Sequence, residues 1–180
     1  MITITYFVHG TTTDNEKHIS SGWYDVALSP KGVQQSIDLR GDTKDKHFDA
    51  VFCSDLKRAT ESARLMFENS SVIIPDRRLR ECNYGTYNAQ PSAVVEPLQA
   101  QSITVPFSGG ESYEDVKTRI ADFLEYLRRE HPGGSVAIVA HKAPQLALDV
   151  ILKAKTWRQA FDEDWRKTGL WQAGWEYIIE

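Results

Sequence analysis

Alternating apolar and polar residues open the chain, which is the pattern of a half-buried strand. Residues 2–8 combine this alternation with β-branched side chains, so we predict a strand there. Short apolar runs at residues 49–53, 71–74 and 135–140 predict three further strands. Each run has the length of a buried strand and is followed by a polar residue or a proline.

Apolar residues at spacings of three and four predict helices between these strands. Proline in a first turn and serine as an N-cap mark where such helices begin. We predict five helices. One covers about residues 30–40, one follows Ser54 as its N-cap, one starts near Glu111, one starts at Pro144 and one lies near residues 157–165. The last apolar run extends from Trp175 to Ile179.

Strands that alternate with helices predict an α/β fold, a three-layer sandwich whose mostly parallel central sheet carries helices on both faces. The 180 residues are enough for one domain with a real core, so we predict a single domain over residues 1–180. Residues 83–110 do not follow the alternation, because they are irregular and rich in proline and glycine. This segment is either a functional loop or a surface excursion, and both interpretations stay open.

Composition and charge exclude several classes of protein. A net charge of -4 provides no basic excess to neutralise a nucleic-acid backbone, so no nucleic-acid partner is expected. No apolar stretch approaches the roughly 20 residues that cross a bilayer, so no membrane partner is expected. Residues 1–5 lack the basic start of a secretion signal, and we therefore expect a cytoplasmic protein.

Polar side chains follow three of the predicted strands at the point where each strand ends. His9-Gly10 follows the first strand, His141 follows the strand at 135–140, and Arg58 lies four residues beyond Ser54. In an open α/β sheet, ligands gather beyond the carboxyl ends of the strands. Two imidazoles and a guanidinium at such positions predict an anion site, most simply one for a phosphoryl group.

Each of these residues also has an ordinary structural interpretation. A single histidine after a strand is more often structural than catalytic, and a single arginine in a first helical turn is usually solvated or paired. Glu81 is the candidate acid and base, yet it could simply neutralise the three arginines between residues 77 and 80. Because three strand ends converge on one edge of the sheet, we favour the site interpretation over the separate ones.

The motifs occur in the order typical of a known family. They are Val8-His9-Gly10-Thr11 with Asn15, Ser54-Asp55-Leu56-Lys57-Arg58-Ala59, Leu79-Arg80-Glu81 with Gly85, Gly109-Gly110-Glu111-Ser112, and Ile138-Val139-Ala140-His141. Together they resemble the histidine phosphatase superfamily, which includes the cofactor-dependent phosphoglycerate mutases. The resemblance runs from residue 2 to about residue 150 and implies a phosphoglycerate mutase-like fold.

The resemblance also implies roles for the site residues. His9 would be the nucleophile that becomes phosphorylated, and Glu81 would be the general acid. Arg58 and His141 would line the phosphate pocket, and Asn15 would help to bind the phosphate. Gly10 would let the backbone approach the ligand. The family needs no metal, and the five scattered histidines give no metal-site pattern, so no metal or other cofactor is expected.

Val8 departs from the family pattern, because the family has an arginine there. Loss of one charge-assisted contact to the phosphate would cost about 3 kcal/mol of transition-state stabilisation, by analogy with loss of one oxyanion donor. Lys142 follows His141 where the family usually has glycine. Its ammonium could return the missing charge, without the planar fork of a guanidinium, or it could point into solvent.

Three functions fit these residues. The first is a phosphatase that hydrolyses a small phosphorylated metabolite through a phosphohistidine on His9, with an activity that Val8 could weaken. The second is a catalytically degenerate member that binds an anionic ligand or a partner. The third, a phosphoglycerate mutase, is less favoured because such mutases carry a longer insertion between the glutamate and second histidine motifs. The tryptophans of the tail indicate core packing or a contact with a second copy, in a homodimer.

Overall fold

Seven strands lie along the chain of the computed structural model, which describes residues 1–68 and 72–180. They are β1 (Ile2–Val8), β2 (Ile19–Ser20), β3 (Ala50–Cys53), β4 (Ile73–Pro75), β5 (Gln90–Pro91), β6 (Ser135–Ala140) and β7 (Trp175–Ile179). The helices are α1 (Thr13–Glu16), α2 (Pro30–Thr43), α3 (Lys57–Met66), α4 (Ser92–Val95), α5 (Tyr113–Glu130), α6 (Lys142–Leu152), α7 (Trp157–Asp162) and α8 (Trp165–Thr168).

The central sheet has five strands in the order β4-β3-β6-β1-β7. The first four strands in that order are parallel, and β7 joins antiparallel to β1 at the edge. β2 and β5 form a separate two-stranded sheet. The predicted mostly parallel α/β fold is confirmed, and the parallel strands bring the carboxyl ends of β1, β3 and β6 to one edge.

Helices cover both faces of the central sheet. On one face, Ala63 and Met66 of α3 pack with Val51 of β3 and Val139 of β6. On the other face, the buried side of α5, which includes Ile120 and Leu124, packs with Tyr6 and Ile138, and α6 adds Leu146. Side chains that alternate along β1 and β6 thus enter two different cores, as expected for a sheet buried on both sides.

Several boundaries differ from the predicted ones. α3 begins at Lys57 with Leu56 as N-cap and no side-chain cap, because the Ser54 hydroxyl accepts instead from Leu56 N at 3.3 Å. α6 begins at Lys142, two residues before Pro144. A proline is tolerated there because the first four N–H groups of a helix have no partner within the helix.

The tail and the smallest elements also depart from the predictions. The helix predicted near 157–165 is two short helices, α7 and α8, because the Asp164 side chain starts a new helix by accepting from Arg166 N. α1 has no apolar periodicity and was not predicted; a capping box between Thr12 and Asn15 holds it. The strand predicted at 71–74 is β4, and its first predicted residue, Ser71, lies outside the described residues.

The irregular segment 83–110 packs against the rest of the chain and contains β5, α4 and three turns of 3-10 helix. Val95 and Phe107 from this segment are buried in the larger core. β5 pairs with β2, so the segment is joined to the chain that follows β1. Tyr84 and Gln99 of this segment line the cavity at the strand ends. The packing therefore favours a functional loop over a surface excursion.

Candidate active site

The two histidines predicted to share a pocket are neighbours. β1 and β6 pair in parallel with Val8 opposite Ala140, and the His9 amide extends the ladder by donating to Ala140 O at 3.0 Å. The residue after each strand is therefore opposite the other, and the His9 and His141 ring centroids lie 4.9 Å apart. The two rings are tilted by 60°, so their edges are presented to the same space.

One hydrogen bond sets the chemistry of His9. Its Nδ1 lies 2.7 Å from the carbonyl oxygen of Gly10, which can only accept, so Nδ1 carries the proton. Nε2 is then the nitrogen with a free lone pair. Burial, and then the positive charge of Arg58, lower the pKa of His9 from 6.5 to about 3, against the opposing effect of the Gly10 hydrogen bond. His9 is therefore a neutral imidazole near pH 7.

His141 is fully buried, yet its ring is not satisfied by the protein. Neither ring nitrogen has a hydrogen-bond partner among residues 1–68 and 72–180. Burial, followed by the charge of Arg58 and the neighbouring His9, holds the pKa of His141 well below its usual range. The Tyr6 hydroxyl donates to the His141 carbonyl at 2.6 Å and fixes the backbone there. A buried polar group without a partner costs stability, and a ligand with acceptor oxygens would satisfy it.

Arg58 reaches the same space from the first turn of α3. Its guanidinium is buried and donates through Nη2 to Gly22 O at 2.7 Å and through Nη1 to Tyr24 O at 3.1 Å. These two uncharged carbonyls orient the guanidinium and leave its positive charge unneutralised. A guanidinium has five N–H donors, so three remain for an anion.

Gly10 is held by packing. Its amide donates to the Ser62 hydroxyl at 2.9 Å, so this N–H group is already satisfied. A Cβ at Gly10 would lie 2.3 Å from the carbonyl oxygen of Gly32 in α2. Gly10 also lines the cavity, so its predicted role in letting the backbone approach a ligand stays a prediction, and the missing side chain in addition lets the chain after His9 pack against α2.

Glu81 sits at the N-terminus of α6. Its Oε1 accepts from Cys82 N at 2.8 Å and Ala143 N at 3.0 Å, and its Oε2 accepts from Lys142 N at 3.2 Å. Because the first N–H groups of a helix lack partners, a carboxylate at this point satisfies them and interacts well with the helix dipole. Oε2 keeps more free acceptor capacity than Oε1, so it is the oxygen available for proton transfer.

The backbone of Glu81 is fixed as well. Its carbonyl accepts from Trp23 Nε1 at 2.7 Å and from Arg119 Nη2 at 2.9 Å. Arg119 is itself paired through Nε with Glu111 Oε1 at 2.9 Å. Glu111 belongs to the Gly-Gly-Glu-Ser motif, which thus contributes to the site through Arg119.

The two other predicted phosphate-binding residues line the cavity and have protein partners of their own. The Asn15 Oδ1 accepts from Thr12 N at 3.0 Å in the capping box of α1. The Lys142 ammonium lies 3.3 Å from Asp164 Oδ2 and 3.4 Å from Gln99 Oε1. Lys142 therefore faces the site, and its charge is shared with a buried carboxylate rather than free.

One open cavity of about 990 Å³ is lined by all of the predicted site residues, which are His9, Gly10, Asn15, Arg58, Glu81, His141 and Lys142. Sequence reasoning gave residues 83–110 as a candidate functional loop without naming Gln99, and it missed the wall at the start of α8 with Arg166 and Lys167. Residue 166 lies beyond the motifs, and a single arginine among the mixed charges of the tail has no signature that would single it out. Within the described part of the chain, no three His, Cys, Asp or Glu side chains cluster as metal ligands, and no helix is long and apolar enough to cross a membrane.

Comparison with known proteins identifies the family. The sequence profile of the Histidine phosphatase superfamily (branch 1) matches residues 6–173, so the chain belongs to this superfamily. The chain is 36% identical over 138 residues to a Xenopus tropicalis protein named fructose-2,6-bisphosphatase TIGAR, covering 70% of this chain and 50% of that protein. This chain therefore spans about half the length of that relative.

A second relative and a solved structure agree with the family. The chain is 32% identical over 148 residues to a 2,3-bisphosphoglycerate-dependent phosphoglycerate mutase of Cytophaga hutchinsonii, covering 74% of this chain and 68% of that protein. The fold is similar to that of YhfR from Bacillus stearothermophilus, with a TM-score of 0.81, 23% identity, and coverage of 89% of this chain and 84% of that one. The fold is thus phosphoglycerate mutase-like, as the motifs predicted.

Proposed function

We propose that this protein is a phosphatase that hydrolyses a small phosphate monoester through a phosphohistidine on His9. The observation that carries the proposal is the pair of facing imidazoles, 4.9 Å apart, in a cavity that also contains Arg58 and Glu81. This set supplies a neutral nucleophile, a cation for the phosphoryl oxygens and a carboxyl group for proton transfer.

The first step transfers the phosphoryl group to the protein. His9 Nε2 attacks phosphorus, and the bond between phosphorus and the leaving oxygen breaks. Glu81 gives a proton from Oε2 to that oxygen. Arg58 and the His141 N–H stabilise the charge on the equatorial oxygens.

The second step returns the protein to its starting state. Water attacks phosphorus and loses a proton to Glu81, while the bond from phosphorus to Nε2 breaks and its electron pair returns to the imidazole. The hydrogen bond from Nδ1 to Gly10 O, at 2.7 Å, holds the ring in one orientation through both steps.

The proposal includes the sequence-based predictions of domain organisation, substrate size, partners and location. Residues 1–180 act as one domain, the substrate is a small phosphorylated molecule, and neither nucleic acid nor a metal takes part. The protein works in the cytoplasm, alone or as a homodimer. Val8 stands where the family has its first arginine, so turnover is slower unless another cation of the cavity takes the place of that guanidinium.

The alternative is a member that binds an anion or a partner without turnover. Val8 favours it, because this side chain lines the cavity and presents an apolar surface to a dianion. The retained His9, Arg58, Glu81 and His141 favour the phosphatase.

An assay with a generic aryl phosphate distinguishes a phosphatase from a protein that binds an anion or a partner without turnover. We expect the wild type to release phosphate, and we expect His9→Ala to lose the activity by about 10³-fold or more, since it lacks the nucleophile. His47→Ala, which removes a histidine whose side chain is 88% exposed, is the matched control. Acid-labile labelling of the wild type by a radioactive phosphate ester should disappear in His9→Ala.

Three outcomes would contradict the proposal. If His9→Ala keeps the wild-type rate, the nucleophile is elsewhere. If the wild type is inactive on a broad panel of phosphate esters but binds inorganic phosphate, the binding function is correct. Isomerisation of a phosphoglycerate without net release of phosphate would instead indicate a mutase.

A further inference from the structure

With Val8 at the end of β1, the phosphate pocket has the guanidinium of Arg58 from α3, and the start of α8 adds a second guanidinium to the same cavity. Arg166 lies at the second residue of α8, and it lines the same cavity as His9, Arg58 and His141. We propose that Arg166 is the second phosphate-binding guanidinium of this site and does the work of the absent arginine at position 8. This inference rests on the proposed function, because it assumes that a phosphoryl group binds between His9 and His141.

Arg166 is held in place by buried partners. Its Nη1 donates to Asp164 Oδ1 at 2.9 Å, and Nη1 and Nη2 lie 3.4 Å and 3.3 Å from Gln145 Oε1. The Asp164 and Gln145 residues are each 3% exposed. The guanidinium also lies over the Trp165 ring, 4.5 Å from its centroid. A guanidinium fixed by a carboxylate, an amide and an aromatic face loses little side-chain entropy when it binds an anion.

The donors that remain on Arg166 lie on one edge of its fork. Both Nη1 hydrogens have acceptors in Asp164 and Gln145, and one Nη2 hydrogen has Gln145. The Nε hydrogen and the second Nη2 hydrogen point along the same edge of the planar group, and no acceptor for them occurs within the described ranges 1–68 and 72–180. Two parallel N–H donors are the arrangement that binds two oxygens of one phosphate.

Lys142 does not fill this role, although its position after His141 suggested it. Its ammonium lies 3.3 Å from Asp164 Oδ2, so one carboxylate holds both cations of this wall. The Asp164 side chain is 1% exposed, and its two oxygens pair with the two cations at the wall of the cavity, which Asp164 itself also lines. Asp164 is therefore a positioning residue, and Lys142 lacks the planar fork.

The electrostatics of the histidine pair agree with this placement. The charge of Arg166 lowers the pKa of His9 after burial and the charge of Arg58, and it lowers the pKa of His141 after burial and the charges of Arg58, His9 and Arg119. Because Arg119 acts on His141 without lining the cavity, the cavity lining and the hydrogen bonds of Arg166 carry the placement. The same field stabilises a dianion placed between the two rings.

The experiment compares Arg166→Ala with Arg158→Ala, which removes an exposed arginine of α7 that does not line the cavity. Affinity for inorganic phosphate is measured by calorimetry, and kcat and KM are measured with an aryl phosphate. We expect Arg166→Ala to weaken phosphate binding about ten-fold or more and to lower kcat/KM by about 10²-fold, as for loss of one oxyanion donor. Arg166→Lys should fall between it and the wild type, and Arg158→Ala should match the wild type.

A double-mutant cycle tests the replacement directly. In the Arg166→Ala background, Val8→Arg should raise kcat/KM by at least about ten-fold. In the wild type the same substitution should raise kcat/KM much less, because two groups that bind one phosphate do not act additively. If Val8→Arg does not fold, the phosphate affinities of Arg166→Ala and Arg166→Lys still show whether Arg166 binds the phosphate. Unfolding of every variant in urea shows whether a loss is structural.

The failures are distinguishable. If the wild type binds phosphate and Arg166→Ala behaves as Arg158→Ala does, the role of Arg166 is wrong and the phosphatase proposal stands. If the wild type neither binds phosphate nor hydrolyses an ester, both proposals are wrong.

Discussion

At His9, one backbone carbonyl decides which ring nitrogen can react. Gly10 O accepts the Nδ1 proton at 2.7 Å and leaves Nε2 with its lone pair, while burial keeps the ring neutral. The sequence indicated His9 as a candidate, because a histidine that ends a buried strand is a local pattern, and its role as nucleophile stays a prediction from the family resemblance. The sequence did not predict the tautomer, since that depends on the distance between two atoms in the folded backbone.

The lowered pKa of His9 predicts how stability varies with pH. Between about pH 3 and 6.5 the unfolded chain holds a proton on this imidazole that the folded chain lacks, so a fall in pH favours unfolding. We expect His9 alone to reduce the free energy of unfolding by up to about 3 kcal/mol between pH 7.5 and 4.5, measured in urea.

His9→Gln should remove that part of the dependence, and His47→Gln, at an exposed position, is the control for loss of a surface imidazole. An equal pH dependence in His9→Gln and the wild type would show that His9 accepts a proton in the folded protein.

At the scale of elements, α2 makes close backbone contacts with the residues that follow β1, next to His9. A Cβ at Gly32 would lie 2.0 Å from the carbonyl oxygen of Thr11, and one at Gly10 would lie 2.3 Å from Gly32 O. The two backbones touch because both residues lack side chains. The sequence predicted α2 from its proline and its periodicity, but it gave no sign of this contact, which joins residues far apart in the chain.

Gly32→Ala should therefore destabilise the protein although alanine favours helix. The new methyl group must displace backbone, and we expect a loss of about 1–3 kcal/mol in the free energy of unfolding, with reduced turnover as the chain next to His9 moves. Gly41→Ala, in the same helix, meets no atom within 4 Å and should be neutral or stabilise by about 0.5–1 kcal/mol. Equal effects of the two substitutions would show that the backbones are not in contact.

For the molecule as a whole, the strands of the central sheet and its longest helices could be predicted, because their periodicity lies within one stretch of sequence. The second sheet could not, since β2 and β5 have two residues each and no period. The wall that carries Arg166 depends on contacts from α8 to Asp164 and Gln145, and such pairings have no local signature. The part of the site built at strand ends was predicted, and the part built from the tail was not.

A cavity with fixed cations and unsatisfied imidazoles should make the folded protein more stable when an anion fills it. Inorganic phosphate at about 100 times its Kd should raise the free energy of unfolding by about 2.7 kcal/mol, followed as a shift in the urea midpoint. Sodium chloride at the same ionic strength should give a much smaller shift. The absence of any phosphate-specific shift would show that the folded protein does not bind this anion.

Arg58 is anchored by the main chain of the loop that follows β2 and not by the side chains of that loop. One of its two anchors is the carbonyl of Tyr24, a residue that is 58% exposed. Position 24 can therefore be diversified in a combinatorial library, or coupled to a fluorophore, while the guanidinium stays where it is. Proline is the exception, because Tyr24 N donates to Ser21 O at 2.9 Å and that bond shapes the loop.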